Sequence, residues 1–203
     1  MTGIREAKQA WRRMIVEMSS LLPREERREA DDALCRQIEN FIPEPGRGYL
    51  LGYAPMLDEP DITPFLRHWL ARGGKLAMPT WVGMSDIVLR RVANLERDIR
   101  PGRASILEPM ETLPVVAPGE VDVALIPGRF FSEGCHRLGR GAGCYDGLIG
   151  GEAMYRLGVC YDFQVFPRIP CEPHDEEMDA VVTPARVIFN SRREGLPGRK
   201  LPL

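Results

Sequence analysis

The sequence predicts an α/β protein built around a mostly parallel sheet. After two amphipathic helices the chain turns to short apolar runs bounded by turn residues, and these runs alternate with helical stretches. A length of 203 residues, with 44% hydrophobic and 28% charged residues, suits one globular core of ordinary composition.

Each element has its own signal. Ile4, Ala7, Trp11, Met14, Ile15, Met18 and Leu22 recur at helical spacing and place one apolar stripe on a first helix. Leu21-Leu22-Pro23 ends it. Pro23 suits the first turn of a second helix, where Glu25 and Glu26 complement the positive end. Ala30, Leu34, Ile38 and Phe41 mark that helix's buried side, and Pro43-Glu44-Pro45-Gly46 closes it. Buried strands are predicted at Tyr49–Tyr53, Lys75–Met78 and Val121–Ile126, and a helix over Asp61–Ala71 is closed by Gly73-Gly74. Ile87–Ala93 reads as an edge or hairpin strand. Tyr155–Tyr161, Ala180–Thr183 and Val187–Phe189 complete the set. Residues 1–190 form one predicted domain, and residues 191–203 a basic tail with Gly and Pro that is expected to be mobile.

Composition narrows the function. A net charge of −2 argues against a mainly electrostatic nucleic-acid binder. Five cysteines, an odd number without a C-x-x-C pair, fit neither a disulfide framework nor a structural zinc site. The charged N-terminus has no signal-peptide core, and no apolar run approaches the roughly 20 residues that span a bilayer. A cytoplasmic protein is expected, acting on small molecules as a monomer, without nucleic-acid or membrane partners.

The segment Arg137-Leu138-Gly139-Arg140-Gly141-Ala142-Gly143-Cys144-Tyr145-Asp146 follows the strand Val121–Ile126 and the loop that begins Pro127-Gly128. Alternating glycines let backbone approach a ligand and present successive N–H groups, and the two arginines suit bidentate phosphate contacts. A helix expected from about Ala142 would add a favourable N-terminus. The segment is neither a Walker A loop nor a dinucleotide fingerprint.

This segment resembles the R-L-G-x-G-x-G-Y-Y-D signature of the 5-formyltetrahydrofolate cyclo-ligase (methenyltetrahydrofolate synthetase) family. The resemblance covers most of the chain. Lys8-x-x-x-Arg12 is similar to the family's N-terminal K-x-x-x-R, and Tyr53-Ala54-Pro55-Met56-Leu57-Asp58-Glu59 to its glutamate-bearing strand end. Ile106-Leu107-Glu108-Pro109 is similar to its E-P turn. Gln164, Pro170, His174-Asp175 and Asp179-Ala180-Val181-Val182-Thr183 resemble its C-terminal pattern.

The resemblance implies a three-layer, Rossmann-like sheet with helices on both faces, similar to the NagB/RpiA/CoA-transferase-like fold. It implies ATP-dependent cyclisation of 5-formyltetrahydrofolate to 5,10-methenyltetrahydrofolate, with ADP and phosphate released. ATP would be bound by Lys8, Arg12, Arg137, Leu138, Gly139, Arg140, Gly141, Ala142, Gly143, Cys144 and Tyr145. Glu59, with Arg140, Gly141, Ala142, Gly143 and Cys144, would hold the reduced formyl-folate. Arg140 and Tyr145 would act in catalysis, and Asp146 and Asp179 would ligate Mg2+.

Each residue also has a plainer reading. Lys8 and Arg12 suit cations lying beside an apolar stripe, and Glu59 a loop carboxylate. Asp146 suits a helix cap, Asp179 a strand start, and His174 a loop position. Tyr53 and Trp81 fit the core as well as a pterin-sized pocket. The chain departs from the family at Cys144, where the first tyrosine of Tyr-Tyr-Asp stands, and at Ala142, Gly147, Ser132 and Ser105. These departures keep two alternatives open: a paralogue that binds ATP but acts on another substrate, and a non-catalytic nucleotide- or folate-binding regulator.

Overall fold

Pro23 separates the two opening helices, α1 (Thr2–Ser20) and α2 (Arg24–Phe41). It stands at the N-cap of α2 with φ −59°, one position before the first turn in which the sequence places it. The computed structural model describes residues 2–83, 86–102, 105–173 and 175–193. Beyond α2 the chain runs β1 (Tyr49–Leu51), α3 (Thr63–Ala71), β2 (Lys75–Trp81), β3 (Ile87–Val92), α4 (Leu95–Asp98), β4 (Ile99–Pro101), β5 (Leu107–Pro109) and β6 (Val115–Val116). It continues as β7 (Val121–Pro127), β8 (Phe130–Ser132), β9 (Arg137–Leu138), α5 (Cys144–Ile149), β10 (Tyr155–Val159), β11 (Val165–Phe166), β12 (Ala180–Val182) and β13 (Val187–Phe189).

Eight strands make one sheet in the order β13-β12-β10-β7-β1-β2-β3-β6. From β12 to β2 every neighbouring pair is parallel. β13, β3 and β6 join antiparallel. The segment Ile87–Ala93 is therefore a hairpin partner of β2, and β6 covers its outer side.

Alternate strand residues feed opposite layers, as the pleat requires. Leu50, Leu76, Leu125 and Leu157 face α2 and α3, packing with Leu34, Ile38, Phe65 and Trp69. Leu51, Ala77, Ala124 and Val181 face the other way, toward Ile149 of α5 and Phe131 of β8. A fully buried leucine of this kind contributes about 1.5–3 kcal/mol. The fold is thus α/β, with a mostly parallel sheet and helices on both faces. On the second face, α5 shares its layer with a small sheet in the order β11-β8-β9. Helix α1 packs outside that small sheet: Trp11 meets Phe130 and Phe166 edge-on, with ring centroids 5.1 and 5.0 Å apart.

The connections position the site. After β1 the chain moves to β2 on one side, and after β7 it moves to β10 on the other. Because β1 and β7 are parallel neighbours, their following loops diverge and leave a crevice at the carboxyl edge. Gln164, fully buried, fixes one lip by donating from Nε2 to the carbonyls of Gly128 and Arg129 at 3.1 and 2.9 Å.

Of the predicted tail, residues 194–203 lie outside the described residues, and with them the expectation of mobility. Arg193 is held in place: its Nε lies 2.9 Å from Asp179 and its Nη1 donates to the Glu177 carbonyl.

Ser105, one of the departures from the resembled family, has φ +62°. A left-handed backbone costs a residue with a Cβ about 1–2 kcal/mol. Ser105→Gly is therefore expected to raise the melting temperature by about 2–8 °C, read by calorimetry. An unchanged or lower value would show that the serine is not strained.

Candidate functional site

The crevice is a cleft of about 550 Å³ bounded by α1, the loops after β1 and β7, and the glycine-rich loop before α5. Lys8, Arg12, Glu59 and every residue from Arg137 to Asp146 line it. Asp179 does not. It precedes β12, beside Arg156 near the start of its neighbour β10, and its carboxylate is already engaged: Oδ2 accepts from the Arg156 N–H at 2.8 Å and Oδ1 pairs with Arg193. The expectation that Asp146 and Asp179 meet at one metal site is therefore corrected. The carboxylates that share the cleft with Asp146 are Glu172 and Asp175, together with Glu59 and Glu108. His174 lies outside the described residues.

The glycines have separate reasons. Gly141 and Gly143 adopt φ +106° and +71°, which residues with a Cβ rarely take. A Cβ on Gly139 would lie 2.6 Å from the Arg137 guanidinium. The loop is thus a close-fitting cradle rather than a tight turn alone. The expected helix begins only at Cys144 and is six residues long. Anion attraction in the cradle rests accordingly on loop N–H groups and side-chain cations.

Those cations are mostly pre-paired, since burying a charge without a partner is costly. Lys8 is 6% exposed, with Nζ 2.8 Å from Glu172 and 2.6 Å from Asp175. Burial opposes its charge, but the bonds to Asp175 and Glu172 outweigh this and hold its pKa above the lysine norm. Arg137 donates to the Pro127 carbonyl at 3.2 Å and to Asp146 at 3.0 Å, and its guanidinium lies over the Tyr145 ring. Arg140 pairs with Asp58 and, at 3.1 Å, with Glu59. Arg12 donates from Nε to the Gly139 carbonyl at 2.9 Å, and among the described residues it has no carboxylate partner.

Three further groups have their protonation set by burial. The Glu59 carboxyl is pushed up by burial, against the pull of Arg140 and of the Met56 N–H it accepts at 3.0 Å. The Tyr145 phenol is pushed well up by burial and by Glu59, so it remains a proton donor at neutral pH. Burial also raises the Cys144 thiol, and the thiolate is disfavoured.

The sequence reading missed Glu172 as a partner of Lys8 and Asp58 as a partner of Arg140. Both lie in loops without periodicity. An unmatched cation at Lys8, Arg129 or Arg140 was the available signal, because buried cations require carboxylates. Tyr53 and Trp81 both line the cleft. Tyr53 is also core, 2% exposed and donating its hydroxyl to the Pro60 carbonyl. Glu108 accepts the Trp81 N–H at 2.7 Å and so braces the β2 wall.

An open α/β sheet whose switch-point crevice gathers a glycine-rich cradle, cations and carboxylates is the architecture of a small-molecule enzyme. The model of the 5-formyltetrahydrofolate cyclo-ligase family matches residues 4–184, and the chain belongs to that family. It is 33% identical over 148 residues to a 5-formyltetrahydrofolate cyclo-ligase of Mycolicibacterium smegmatis, a match covering 69% of this chain and 75% of that one. The solved 5,10-methenyltetrahydrofolate synthetase of Aquifex aeolicus superposes with a TM-score of 0.80 at 30% identity, covering 93% of this chain and 95% of the other. The Mycoplasma pneumoniae synthetase, at 20% identity, shares the fold with a TM-score of 0.72, over 87% and 98% of the two chains. Among the described residues no helix is long and apolar enough to cross a membrane.

Ionised Glu59 costs stability, because its folded pKa lies above its unfolded value. That cost is present at neutral pH and disappears as pH falls through the folded pKa. Glu59→Gln is expected to melt higher than the parent at pH 7, with the gap closing toward the ordinary carboxylate range of about 4 to 4.5. Thermal unfolding across pH checks this, and a gap that widens on acidification would contradict it.

Proposed function

We propose that the chain catalyses the ATP-dependent cyclisation of 5-formyltetrahydrofolate to 5,10-methenyltetrahydrofolate, releasing ADP and phosphate. The observation that carries this reading is the convergence of Lys8, Arg12, Glu59 and the segment Arg137–Asp146 on one cleft. These positions are 138 residues apart at the extremes, and the family motif joins them only through the fold.

The chemistry explains why such a site needs both an anion cradle and a substrate wall. The formyl oxygen is a poor leaving group. Once phosphorylated with ATP as donor it becomes a good one, and N10 attacks the formyl carbon to close the ring with loss of phosphate. The protein's task is positioning and charge stabilisation. Arg12 and the loop N–H groups would hold the phosphates, with Lys8 and Arg137 turning from their carboxylates toward the added negative charge while Arg140 stays beside Asp58 and Glu59. Glu59 would accept hydrogen bonds from the folate, and the Tyr145 phenol would donate to the reacting oxygen.

Among the described residues no group of three or more His, Cys, Asp and Glu could hold a metal by itself. Mg2+ commonly uses one or two carboxylates and completes its shell with phosphate oxygens and water. Asp146 fits that role, and Asp175, which lines the cleft where Asp179 does not, would serve as the second carboxylate. Bound there, Mg2+ would neutralise charge on the transferring phosphoryl group.

Formation of the methenyl chromophore from 5-formyltetrahydrofolate and MgATP, followed by absorbance, tests the proposal. No turnover by folded protein at saturating substrates would sink it. Arg137→Met is expected to lower kcat by about 10²–10³-fold, as for loss of one preorganised donor. Cys144 supports a second reading, a paralogue with another substrate, because it removes a hydroxyl from the loop. Under the main reading Cys144→Tyr is expected to raise kcat/KM about tenfold, the worth of about 1.4 kcal/mol. If neither protein turns over yet both bind ATP, the second reading stands.

A further inference from the structure

Asp58 is buried to 8% exposure in the loop after β1, beside Glu59. Its Oδ1 pairs with Arg140, while its Oδ2 lies 3.5 Å from Arg129 Nε. The two arginines lead in different directions. Arg140 passes to Glu59 Oε1 at 3.1 Å. Arg129 donates from Nη1 to the Arg12 carbonyl, and Arg12 in turn donates to the Gly139 carbonyl at 2.9 Å. One carboxylate therefore joins the loop after β1, the loop after β7, α1 and the glycine-rich loop.

The charges make the link sensitive to ligands. Arg12, Arg129 and Arg140 face Asp58 and Glu59, three cations against two anions, so the cluster retains one positive charge. Arg129 is the strained member. Burial lowers its pKa, Arg140 and Arg12 lower it further, and Asp58 is the main opposing charge. Arg140 differs, because Glu59 and Asp58 outweigh its burial and raise its pKa. An anion arriving at Arg12 relieves the repulsion on Arg129. Asp58 is then less committed to Arg129 and holds Arg140 more firmly beside Glu59. The same two-way balance runs in reverse when a ligand occupies Glu59.

We propose that Asp58 is a positioning residue that couples the nucleotide arm at Arg12 and the glycine-rich loop to the substrate arm at Glu59 and Arg140. It touches neither ligand in this account and acts through the two arginines. The inference rests on the assignment of those arms made under the proposed function.

Calorimetric titration of the full chain with a non-hydrolysable MgATP analogue, alone and with saturating 5-formyltetrahydrofolate, reads the coupling directly. In the unaltered protein the folate is expected to tighten nucleotide binding about fivefold or more, the low end of ordinary coupling. In Asp58→Asn, similar in shape but uncharged, the factor is expected to fall to about one while each ligand still binds alone. A merely structural role would weaken both affinities and leave the factor intact, and that result overturns the proposal. Absence of coupling in the unaltered protein overturns it as well. Arg129→Gln cuts the same link from its other end and carries the test if Asp58→Asn fails to fold, with loss of coupling expected and retained coupling decisive against. If the unaltered protein binds neither ligand, the functional assignment itself falls, and this inference with it.

Discussion

The parallel pairing of β1 with β7 is the constraint from which the rest of the molecule follows. Leu50 lies opposite Val123 and Leu51 opposite Ala124, all of them buried. Their side chains alternate between the two layers of the core, so a register slip of one residue would reverse both faces at once. With the register set, the two carboxyl ends lie side by side while their onward connections part. The loop carrying Asp58 and Glu59 and the loop carrying Gly128 and Arg129 therefore flank one opening. Neither loop needs regular structure of its own, because each is held at its root by the most buried part of the sheet.

Into that opening the chain brings more positive charge than a half-dry cleft tolerates, and the surrounding carboxylates follow from that excess. Asp146 restrains Arg137, Asp58 and Glu59 restrain Arg140, and Glu172 with Asp175 restrains Lys8. Pairing of this kind contributes little net stability, because the desolvation of both partners offsets most of the attraction. Its effect is geometric. It holds each cation near where an anionic ligand would meet it, while limiting the self-repulsion of the empty site. The carboxylates consequently set where the cations stand even where they touch nothing but protein.

How much of this the sequence discloses depends on whether a feature has a period. Trp11, Met14, Ile15 and Met18 mark α1 because a helix repeats, and the apolar runs at Leu76 and Val123 mark strands in the same way. The small sheet carries no such signal. β9 and β11 are two residues each, and no spacing around Phe130 or Phe166 marks a strand. The glycine-rich segment is legible because backbone that approaches a ligand demands glycine, as Gly141 and Gly143 bear out in their torsions. Asp179 misled for a physical reason. A strand-associated carboxylate can stand at either end of its strand, and only topology says which end faces the cleft. Asp175, four residues earlier, lies on that side because the loop before β12 passes beneath α1.

The position of α1 outside the small sheet bears on how the protein is made. Helix α1 leaves the ribosome well before Phe130 and Phe166, against which it docks. Its Arg12 carbonyl bonds a residue 117 positions away, and Lys8 bonds one 167 positions away. Contacts so distant in sequence are slow to form and leave early segments waiting with apolar surface exposed. The stripe of Trp11, Met14 and Met18 is thus a surface for the nascent chain to shield, by transient collapse or by a holding partner, until Phe166 has been made. The cleft can be completed only after Asp175 has been made.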